Sequence, residues 1–327
     1  MTAAERPFTI GVDLGGTKIK TAVVDSKGHV MSASKRPTNP QKGSNAVIHN
    51  LLMSVNECLH HHEGIEALGV GVAGQVDKQG VVQYSPNLKW RSVPLKTKLE
   101  KELELPVLVT NDVNAATIGE WRFGSGRNVD DLAVVFVGTG IGGGVIVGGK
   151  VLSGCSNTGG ELGHITIVVG GRRCHCPNQG CLEAYAGGWA IAERAQEAVK
   201  ANPKLGQRLT SLAKGIGNIT AETVSQAFHS GDILACRIIE ETGEYLAAGA
   251  VSIINSFNPC VLAFGGSVIE GIPELIEVVD GIVRQKGLEA AVEKLRIAKV
   301  ALGSDAGVIG VAALATELQS EKQRLPE

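Results

Sequence analysis

Three cysteines and a histidine have the spacing of a metal-binding site. They are His164, Cys174, Cys176 and Cys181. Thiolate and imidazole groups in sets of four are typical ligands of structural Zn²⁺. Because the protein would fill all four positions, no water molecule could be activated there, so the sequence predicts a structural zinc site. Two alternatives stay open. One is a set of buried unpaired cysteines; the other is His175 in place of His164, although its position between two ligating cysteines makes that geometry awkward.

Two carboxylates flank this cysteine cluster. Glu161 lies in the segment GGELGH, and Glu183 follows Cys181 by two positions. If bound zinc holds the loop rigid, both carboxylates become fixed acceptors for the hydroxyl groups of a sugar. Either residue alone would be an ordinary surface acid.

A third carboxylate, Asp112, is a candidate general base. Asn111 and Asp112 follow a predicted buried strand, Pro106–Thr110, and precede a predicted helix, Val113–Phe123. Ligands bind at the carboxyl ends of strands in open α/β sheets. An aspartate with an unperturbed pKa of about 3.9 is ionised at neutral pH, so it could accept a proton from a bound hydroxyl group. The alternative is that Asp112 only caps the helix, a position that favours Asn and Asp.

A glycine-rich segment near the start of the chain could bind phosphate. The segment DLGGTK covers Asp13–Lys18, between two predicted strands. Its glycines expose consecutive backbone N–H groups, while Thr17 and Lys18 add a hydroxyl donor and a cation. Asp13, at the end of the strand, is placed to act on a metal ion or its waters. The alternative is a simple Gly-Gly hairpin turn.

A second glycine-rich segment, GTGIGGGV, covers Gly138–Val145. It matches the dinucleotide-binding pattern, but a strand follows it where that fold requires a helix, so dinucleotide binding is excluded. It also matches the glycine-rich loop of protein kinases, whose companion motifs this chain lacks. A strand–turn–strand whose backbone amides cover phosphate groups remains. Two such loops in related halves, facing one cleft, are harder to explain as turns than either loop alone.

The elements that position these residues alternate along the chain. Strands are predicted at Phe8–Asp13, Lys18–Asp25, His29–Ala33, Ala67–Ala73, Pro106–Thr110, Leu132–Val137, Gly144–Val147, Lys150–Leu152, Val261–Phe264 and Ile297–Leu302. Helices are predicted at Asn45–Leu59, Pro94–Glu104, Val113–Phe123, Trp189–Lys200, Ala221–His229 and Asp232–Ser256, from Pro273, and at Ala306–Leu318. The strand order of the first thirty residues returns after residue 131, which indicates two related halves.

Composition excludes several classes of protein. The 327 residues carry a net charge of -2, so neither nucleic acid nor an acidic membrane surface is an expected partner. The residues Leu132–Gly149 are uncharged, but their many glycines favour two buried strands over a membrane helix. No signal-peptide pattern opens the chain, and seven unevenly spaced cysteines do not suggest a disulfide framework, so we expect a cytoplasmic protein. The isolated cysteines are predicted to pack as small hydrophobic residues: Cys58, Cys155, Cys236 and Cys260.

Together these motifs resemble the ROK family of sugar kinases and repressors, over nearly the whole chain. The motifs are DLGGTK, PNLKW at Pro86–Trp90, NDVNAA, GTGIGGG, GGELGH, the cysteine cluster with GCLEAY, and AFGGS at Ala263–Ser267. The resemblance implies an α/β fold of the two-lobed actin and hexokinase type with a central cleft. It implies a small lobe of residues 1–121, joined by a C-terminal helix of residues 306–327, and a larger lobe of residues 122–305 carrying the zinc loop.

Residue roles follow from the same resemblance. Asp112 matches the base that takes the proton of a sugar's 6-hydroxyl group. Sugar-contacting positions are matched by Asn87, Asn111, Asp112, Glu161, His164 and Glu183. Nucleotide-binding positions are matched by Asp13, Gly15, Gly16, Thr17, Lys18, Thr139, Gly140, Gly265 and Gly266. One departure is Pro177, which stands where the family usually has glycine and could change the path of the zinc loop.

The resemblance implies ATP- and Mg²⁺-dependent phosphorylation of a hexose, with glucose as the expected substrate. Kinases of N-acylmannosamine and other hexoses share these motifs, and polyphosphate is a conceivable donor. The family also contains sugar-responsive repressors, whose DNA-binding domain precedes the first phosphate loop. Only twelve residues precede Asp13 in this sequence, and no basic patch compensates, which favours the kinase over a repressor. An inactive sugar sensor is disfavoured because Asp112 and both glycine loops are present. Family habit suggests a homodimer or homotetramer.

Overall fold

Two α/β units make up the chain, and a computed structural model describes its residues 8–322. The ends of the predicted first lobe and of the predicted C-terminal helix, residues 1–7 and 323–327, lie outside the described residues. The first unit comprises the chain up to Asn128, the segment Val151–Gly159 and the chain from Ala301 onward. The second unit comprises Val129–Lys150 and Gly160–Val300.

The strands and helices are numbered in chain order. The strands are β1 (Phe8–Leu14), β2 (Lys18–Val24), β3 (Val30–Pro37), β4 (Ile65–Val72), β5 (Gln75–Val76), β6 (Val82–Ser85), β7 (Trp90–Val93), β8 (Val107–Asn111), β9 (Leu132–Val137), β10 (Ile141–Val147), β11 (Lys150–Val151), β12 (Val261–Gly265) and β13 (Arg296–Lys299). The α-helices are α1 (Ser44–His61), α2 (Leu95–Leu103), α3 (Asp112–Phe123), α4 (Glu183–Ala186), α5 (Gly188–Ala201), α6 (Gln207–Ala213), α7 (Ala221–His229), α8 (Ile233–Phe257), α9 (Ser267–Gly271), α10 (Leu275–Lys286), α11 (Glu289–Val292) and α12 (Ala306–Lys322).

Both units are built on a five-stranded sheet of the same strand order. The first sheet runs β3-β2-β1-β4-β8, and the second runs β11-β10-β9-β12-β13. In each, a glycine hairpin joins the central strand to an antiparallel neighbour, an edge strand pairs with that neighbour, and two parallel strands complete the sheet on the other side. The repeated order that the sequence predicted is therefore confirmed, and the uncharged segment after residue 131 forms β9 and β10. In residues 8–322 no helix combines the length and the apolar content that a membrane crossing needs.

The C-terminal helix α12 packs on the first sheet at unusually short range. Gly11 of β1 and Gly69 of β4 lie beneath it, and a Cβ atom at either position would overlap the carbonyl groups of Val308 and Val311. Glycine at these two strand positions lets the helix backbone approach the sheet backbone. Helix α12 therefore closes the core of the first unit, with Val308, Ile309 and Ala312 buried against β2 residues.

Near residue 121, where the first lobe is expected to end, the chain stays in the first unit up to Asn128. The physical reason is Glu120, a fully buried residue near the end of α3. Its carboxylate accepts hydrogen bonds from the N–H and hydroxyl groups of Ser125 and from the N–H groups of Ala301 and Leu302. One carboxylate thus holds both the outgoing and the returning segment. The segment Val151–Gly159 belongs to the same unit because the Asn157 amide donates to the Val76 carbonyl, at 2.8 Å.

Candidate functional site

The first glycine hairpin is hydrogen-bonded to Thr38, the residue that follows β3. The N–H group of Gly15 donates to the Lys18 carbonyl across the turn, at 3.1 Å. Buried Thr38 then donates twice, through its N–H group to the Thr17 carbonyl and through its hydroxyl group to the Gly15 carbonyl. These bonds satisfy the carbonyl groups of the turn and leave the side chains of Thr17 and Lys18 exposed.

Asp13 lies at the end of β1, beside this hairpin and beside cations. Burial raises the pKa of its carboxyl group, while the positive charges of Lys20 and Lys18 oppose the shift. Lys20 faces Asp13 across the strand pair, is itself buried, and forms an ion pair with Asp305. Sequence reasoning missed this lysine because alternate residues of an antiparallel strand normally reach solvent.

Strand register brings Asp13 and Asn111 to one edge of the first sheet. Leu14 pairs with Val72 of β4, and Val72 pairs with Asn111 of β8. Because all three strands are parallel, their carboxyl ends lie side by side, and two strand spacings separate β1 from β8 by roughly 10 Å. The candidate carboxylates Asp13 and Asp112 therefore project from the same edge region, as the sequence predicted for a ligand site.

Asn111, and not Asp112, is the N-cap of α3. The side-chain oxygen of Asn111 accepts hydrogen bonds from the N–H groups of Val113 and Asn114, at 2.9 and 3.0 Å. Its amide nitrogen donates to Asp112 Oδ1 and to the Gly74 carbonyl, each at 3.1 Å. Asp112 is the first helical residue and is half-buried, so its carboxylate is oriented by Asn111 while the capping position is already filled.

Asn87 lies in the turn between β6 and β7, and it is exposed. A Cβ atom at Gly16 would lie 2.8 Å from the Asn87 Cβ atom, so the first glycine hairpin and this turn are in close contact. Glycine at position 16 is required by this approach. The first unit thus brings together the hairpin, the Asn87 turn and the start of α3.

The second glycine hairpin is held from outside by two helices. The N–H groups of Gly188 and Trp189, in the first turn of α5, donate to the carbonyl groups of Gly138 and Thr139, at 2.9 and 3.0 Å. Glu183, the first residue of α4, accepts a hydrogen bond from the Ile141 N–H group through Oε2, at 2.8 Å.

A cavity of about 320 Å³ opens beside this hairpin, within the second unit. Its walls are Gly138, Thr139, Gly188, Trp189, Ala192, Thr220, Ala221, Glu222, Ser267 and Val268. Gly266, between β12 and α9, has a φ of 92°, and a Cβ atom there would lie 2.5 Å from the Val137 carbonyl oxygen. The glycine pair at 265–266 therefore brings the start of α9 against the end of β9, where Ser267 reaches the cavity.

The four predicted metal ligands meet in one place. The ligand atoms of His164, Cys174, Cys176 and Cys181 all lie within 4.8 Å of one another. Cys174 Sγ is 3.7 Å from His164 Nδ1, and Cys176 Sγ is 3.6 Å from Cys181 Sγ. Tetrahedral Zn²⁺ with ordinary bond lengths separates its ligands by about 3.5–3.8 Å, so the four residues fit this ion.

The protonation and oxidation state of the cysteines is compatible with a zinc site. All of them are free thiols, and burial raises the pKa of the Cys174 thiol to about 12. A buried thiol of this kind becomes a thiolate ligand only when a cation compensates the negative charge. Pro177 lies at the exposed tip of the loop, and the ligands still converge around it.

The structure also tests the predictions for His175 and for the isolated cysteines. His175 does not join the ligand group; its ring stacks on Trp189 with the ring centroids 4.2 Å apart. Cys58 is buried as predicted, but the prediction was wrong for Cys155 and Cys260, which are exposed in a turn and at a bend before β12.

Glu161 and Glu183 differ in their surroundings. Glu161 is exposed, next to the short 3-10 helix that carries His164. Glu183 is half-buried: one carboxylate oxygen binds the second hairpin, and the other lies 3.8 Å from Cys174 Sγ. Sequence spacing found both residues, but it missed the contact between Glu183 and the glycine hairpin, which joins positions 42 residues apart.

Comparison with known proteins extends these observations. The profile of the ROK family matches residues 9–318. A glucokinase of Streptomyces coelicolor is 35% identical over 319 residues, which cover 95% of this chain and 98% of the relative. A crystal structure of a ROK family glucokinase from Streptomyces griseus, in complex with glucose and AMPPNP, superposes with a TM-score of 0.81 at 36% identity, covering 95% of this chain and 99% of the other. A xylose repressor of Caldicellulosiruptor bescii is 31% identical, covering 92% of this chain and 77% of the relative.

Proposed function

The chain belongs to the ROK family, and from this premise we propose that it is a glucokinase, which transfers the terminal phosphoryl group of ATP to the 6-hydroxyl group of glucose. The glucokinase relatives support a sugar kinase of the two-lobed actin and hexokinase type. One observation carries the finer proposal: an oriented carboxylate, Asp112, at the strand edge that also holds a glycine hairpin.

Asp112 is proposed to act as the general base. Its carboxylate takes the proton of the 6-hydroxyl group as the bond between that oxygen and the γ-phosphorus forms, and the bond from phosphorus to the β,γ-bridging oxygen of ATP breaks. Asn111 donates a hydrogen bond to Asp112 Oδ1, and this bond sets the orientation of the carboxylate. General-base catalysis of this kind contributes a factor of about 10² to 10⁴ to the rate.

The nucleotide is assigned to the second unit. The cavity beside the second hairpin has the size and the mixed lining expected for a nucleoside, and the hairpin amides at its edge suit an anionic phosphate group. The AMPPNP complex of the relative from Streptomyces griseus supports an adenine nucleotide as the ligand. Asp13 and Lys18 of the first hairpin are proposed to act on phosphate groups, and Mg²⁺, when bound, would supply positive charge that offsets theirs.

The cysteine cluster is proposed to hold a structural Zn²⁺ through His164, Cys174, Cys176 and Cys181. When bound, the ion would cross-link the loop that carries Glu161 and Glu183. Those two carboxylates are proposed to accept hydrogen bonds from sugar hydroxyl groups. Since carboxylates accept and never donate when ionised, they suit a ligand rich in O–H groups. Asn87 of the first unit is proposed separately as a hydrogen-bonding group for a sugar.

A coupled assay of ADP release tests the proposal. Glucose, fructose, N-acetylglucosamine and N-acetylmannosamine would each be offered with ATP, and then with polyphosphate in its place. We expect glucose with ATP to give the highest kcat/KM. A higher kcat/KM for N-acetylmannosamine would support the phosphoryl-transfer reaction but contradict glucose as the preferred substrate.

A sugar-responsive regulator without kinase activity is the second candidate, favoured by the similarity to the xylose repressor. It predicts sugar binding in calorimetry and no ADP release with any sugar in the same set. That outcome would overturn the kinase proposal.

A further inference from the structure

Trp189 contacts both the cavity beside the second hairpin and the cysteine loop. Trp189 lines the 320 Å³ cavity together with Thr139 and Ser267, and its backbone N–H group donates to the Thr139 carbonyl of the second hairpin. Its indole ring packs against the buried group formed by Cys174, Cys181, Ala184 and Tyr185. One residue therefore contributes to the wall of the proposed nucleotide cavity and to the packing of the cysteine loop.

The partner of the Trp189 ring comes from between two metal ligands. His175 stacks on the indole with the ring centroids 4.2 Å apart and the planes 27° from parallel. Because Cys174 and Cys176 flank His175 in sequence, the position of the imidazole is set by the backbone of the ligand loop. The indole nitrogen is buried and has no hydrogen-bond partner among the described residues, so stacking and packing fix this ring without help from a polar contact.

Glu183 forms a second connection between the cysteine loop and the second hairpin. Its two carboxylate oxygens lie against Cys174 Sγ on one side and the Ile141 N–H group on the other. A Cβ atom at Gly140 would overlap this carboxylate, so the hairpin lies directly on it. The cysteine loop thus contacts the supports of the hairpin through a charged group and, separately, through the aromatic stack.

We propose that His175 and Trp189 are positioning residues through which the cysteine loop shapes the nucleotide cavity, so that loss of the stack weakens nucleotide binding selectively. The inference rests on the proposed function for the identity of the nucleotide. Neither ring is a metal ligand or touches a reacting atom. Order in the loop reaches the hairpin through Trp189, whose ring stacks on His175 and whose backbone N–H group donates to the Thr139 carbonyl.

The decisive variants are His175→Ala, which removes the stack, and His175→Phe, which keeps an aromatic ring. Stacked aromatic pairs contribute about 0.5–1.5 kcal/mol, so His175→Ala should raise the KM for ATP and the Kd for ADP by about 2- to 12-fold. The KM for the sugar, kcat and the zinc content per chain should stay unchanged. His175→Phe should restore the nucleotide affinity, and His60→Ala, at an exposed histidine of the first unit, should change nothing.

Several results would overturn the proposal. These are an unchanged ADP affinity in His175→Ala, an equal loss of affinity for sugar and nucleotide, a His175→Phe protein that behaves like the alanine variant, or loss of zinc from His175→Ala, which would make the imidazole a ligand. If His175→Ala fails to fold, Trp189→Phe provides the same comparison from the other ring, with the smaller aromatic expected to keep most of the affinity. ADP titration by calorimetry separates this inference from the proposed reaction: a protein that binds ADP but phosphorylates no sugar contradicts the reaction alone.

Discussion

The two units share a strand order but differ in the chemistry around their glycine hairpins. The hairpin between β1 and β2 carries its own charges, with Asp13 before the turn, Lys18 after it and buried Lys20 beside them. The hairpin between β9 and β10 has no charged residue in its turn, and its carboxylate support, Glu183, comes from a helix that follows the cysteine cluster.

This difference indicates how two units of the same topology can contribute different chemical groups. Backbone hydrogen bonds form the same antiparallel strand pair at both hairpins, because this pairing does not require charged side chains. The acid–base groups then sit in the first unit, while the second unit combines a cavity with a metal-ligand loop. Substitution of the proposed base in the first unit should therefore lower turnover, whereas substitutions in the cavity and the metal-ligand loop of the second unit should lower nucleotide affinity or local stability.

The largest effect is expected at Asp112. Asp112→Asn should lower kcat by about 10² to 10⁴, because the amide cannot take a proton, while the Kd for glucose changes little. Steady-state kinetics and glucose calorimetry would measure the two quantities. Asp232→Asn is a matched control, since Asp232 caps α8 and Asn caps equally well. Near-normal turnover in Asp112→Asn would remove this residue from the catalytic role.

The cysteine cluster should show the next largest effect, confined to the second unit. Cys181→Ser removes a buried thiolate ligand, so zinc content should fall from about one ion per chain to none, since structural sites need all four ligands. Hydrogen exchange should then rise around residues 160–181, with the first sheet unaffected. Cys155→Ser, at an exposed cysteine of the first unit, serves as the control. Full zinc content in Cys181→Ser would contradict the assigned ligand set.

A pair of glycine substitutions compares the hairpins directly. At Gly140 a methyl group would overlap the Glu183 carboxylate, and at Gly16 it would press on Asn87. Overpacking of this kind costs about 1–3 kcal/mol, equivalent to roughly 5- to 150-fold in binding. Gly140→Ala should raise the KM for ATP more than the KM for glucose, whereas Gly16→Ala should raise both to a similar extent. Identical KM changes in both variants would argue against separate roles for the two hairpins.

Glu120 should matter for stability without touching the reaction. Glu120→Gln replaces one acceptor oxygen by an NH₂ group facing N–H donors, which should lower the free energy of unfolding by about 1–3 kcal/mol. Urea denaturation would measure it, with Glu102→Gln, at an exposed position of α2, as the control. An unchanged midpoint would show that water replaces the lost hydrogen bonds.

The smallest effect concerns pH and Asp13. Burial raises its pKa above the ordinary value of 3.8, so its contribution to stability is fully present below that pH and is lost as the pH rises through the raised pKa. Asp13→Asn should therefore gain unfolding free energy relative to the wild type between pH 4 and pH 7. Asp77→Asn should show the opposite trend in a lower window, losing unfolding free energy relative to the wild type as the pH rises towards 3.8, because hydrogen bonds from Gln83 and Val81 outweigh burial and lower the pKa of Asp77. Parallel pH trends in the two variants would contradict the assignment.

Sequence reasoning recovered the elements whose pattern is local. The glycine hairpins, the long helices and the cysteine cluster were predicted because turns, 3.6-residue periodicity and ligand spacing are visible within short windows. The hairpin of β6 and β7 was missed, since its four-residue strands mix exposed Tyr84 and Arg91 with buried positions and show little alternation. Short strands gain their stability from neighbours that the window does not contain.

The missed parts of the candidate site share a second cause, which is distance along the chain. Glu120 resembles a surface acid on an amphipathic helix, and its partners at residues 301 and 302 are known only after the chain has returned. The contact of Glu183 with the second hairpin and the pairing of Lys20 with Asp305 have the same character. Residue type and spacing identify candidate groups, whereas their hydrogen-bond partners follow from the folded arrangement.

Phosphorus NMR of the protein with ATP, Mg²⁺ and glucose tests the central claim most directly. The account predicts that the γ-phosphate resonance disappears as ADP and a phosphomonoester on the glucose 6-oxygen appear in equal amounts, and that Asp112→Asn slows this conversion by about 10²- to 10⁴-fold. Release of inorganic phosphate without a sugar phosphate, or a phosphoester on a different oxygen of the sugar, would contradict it.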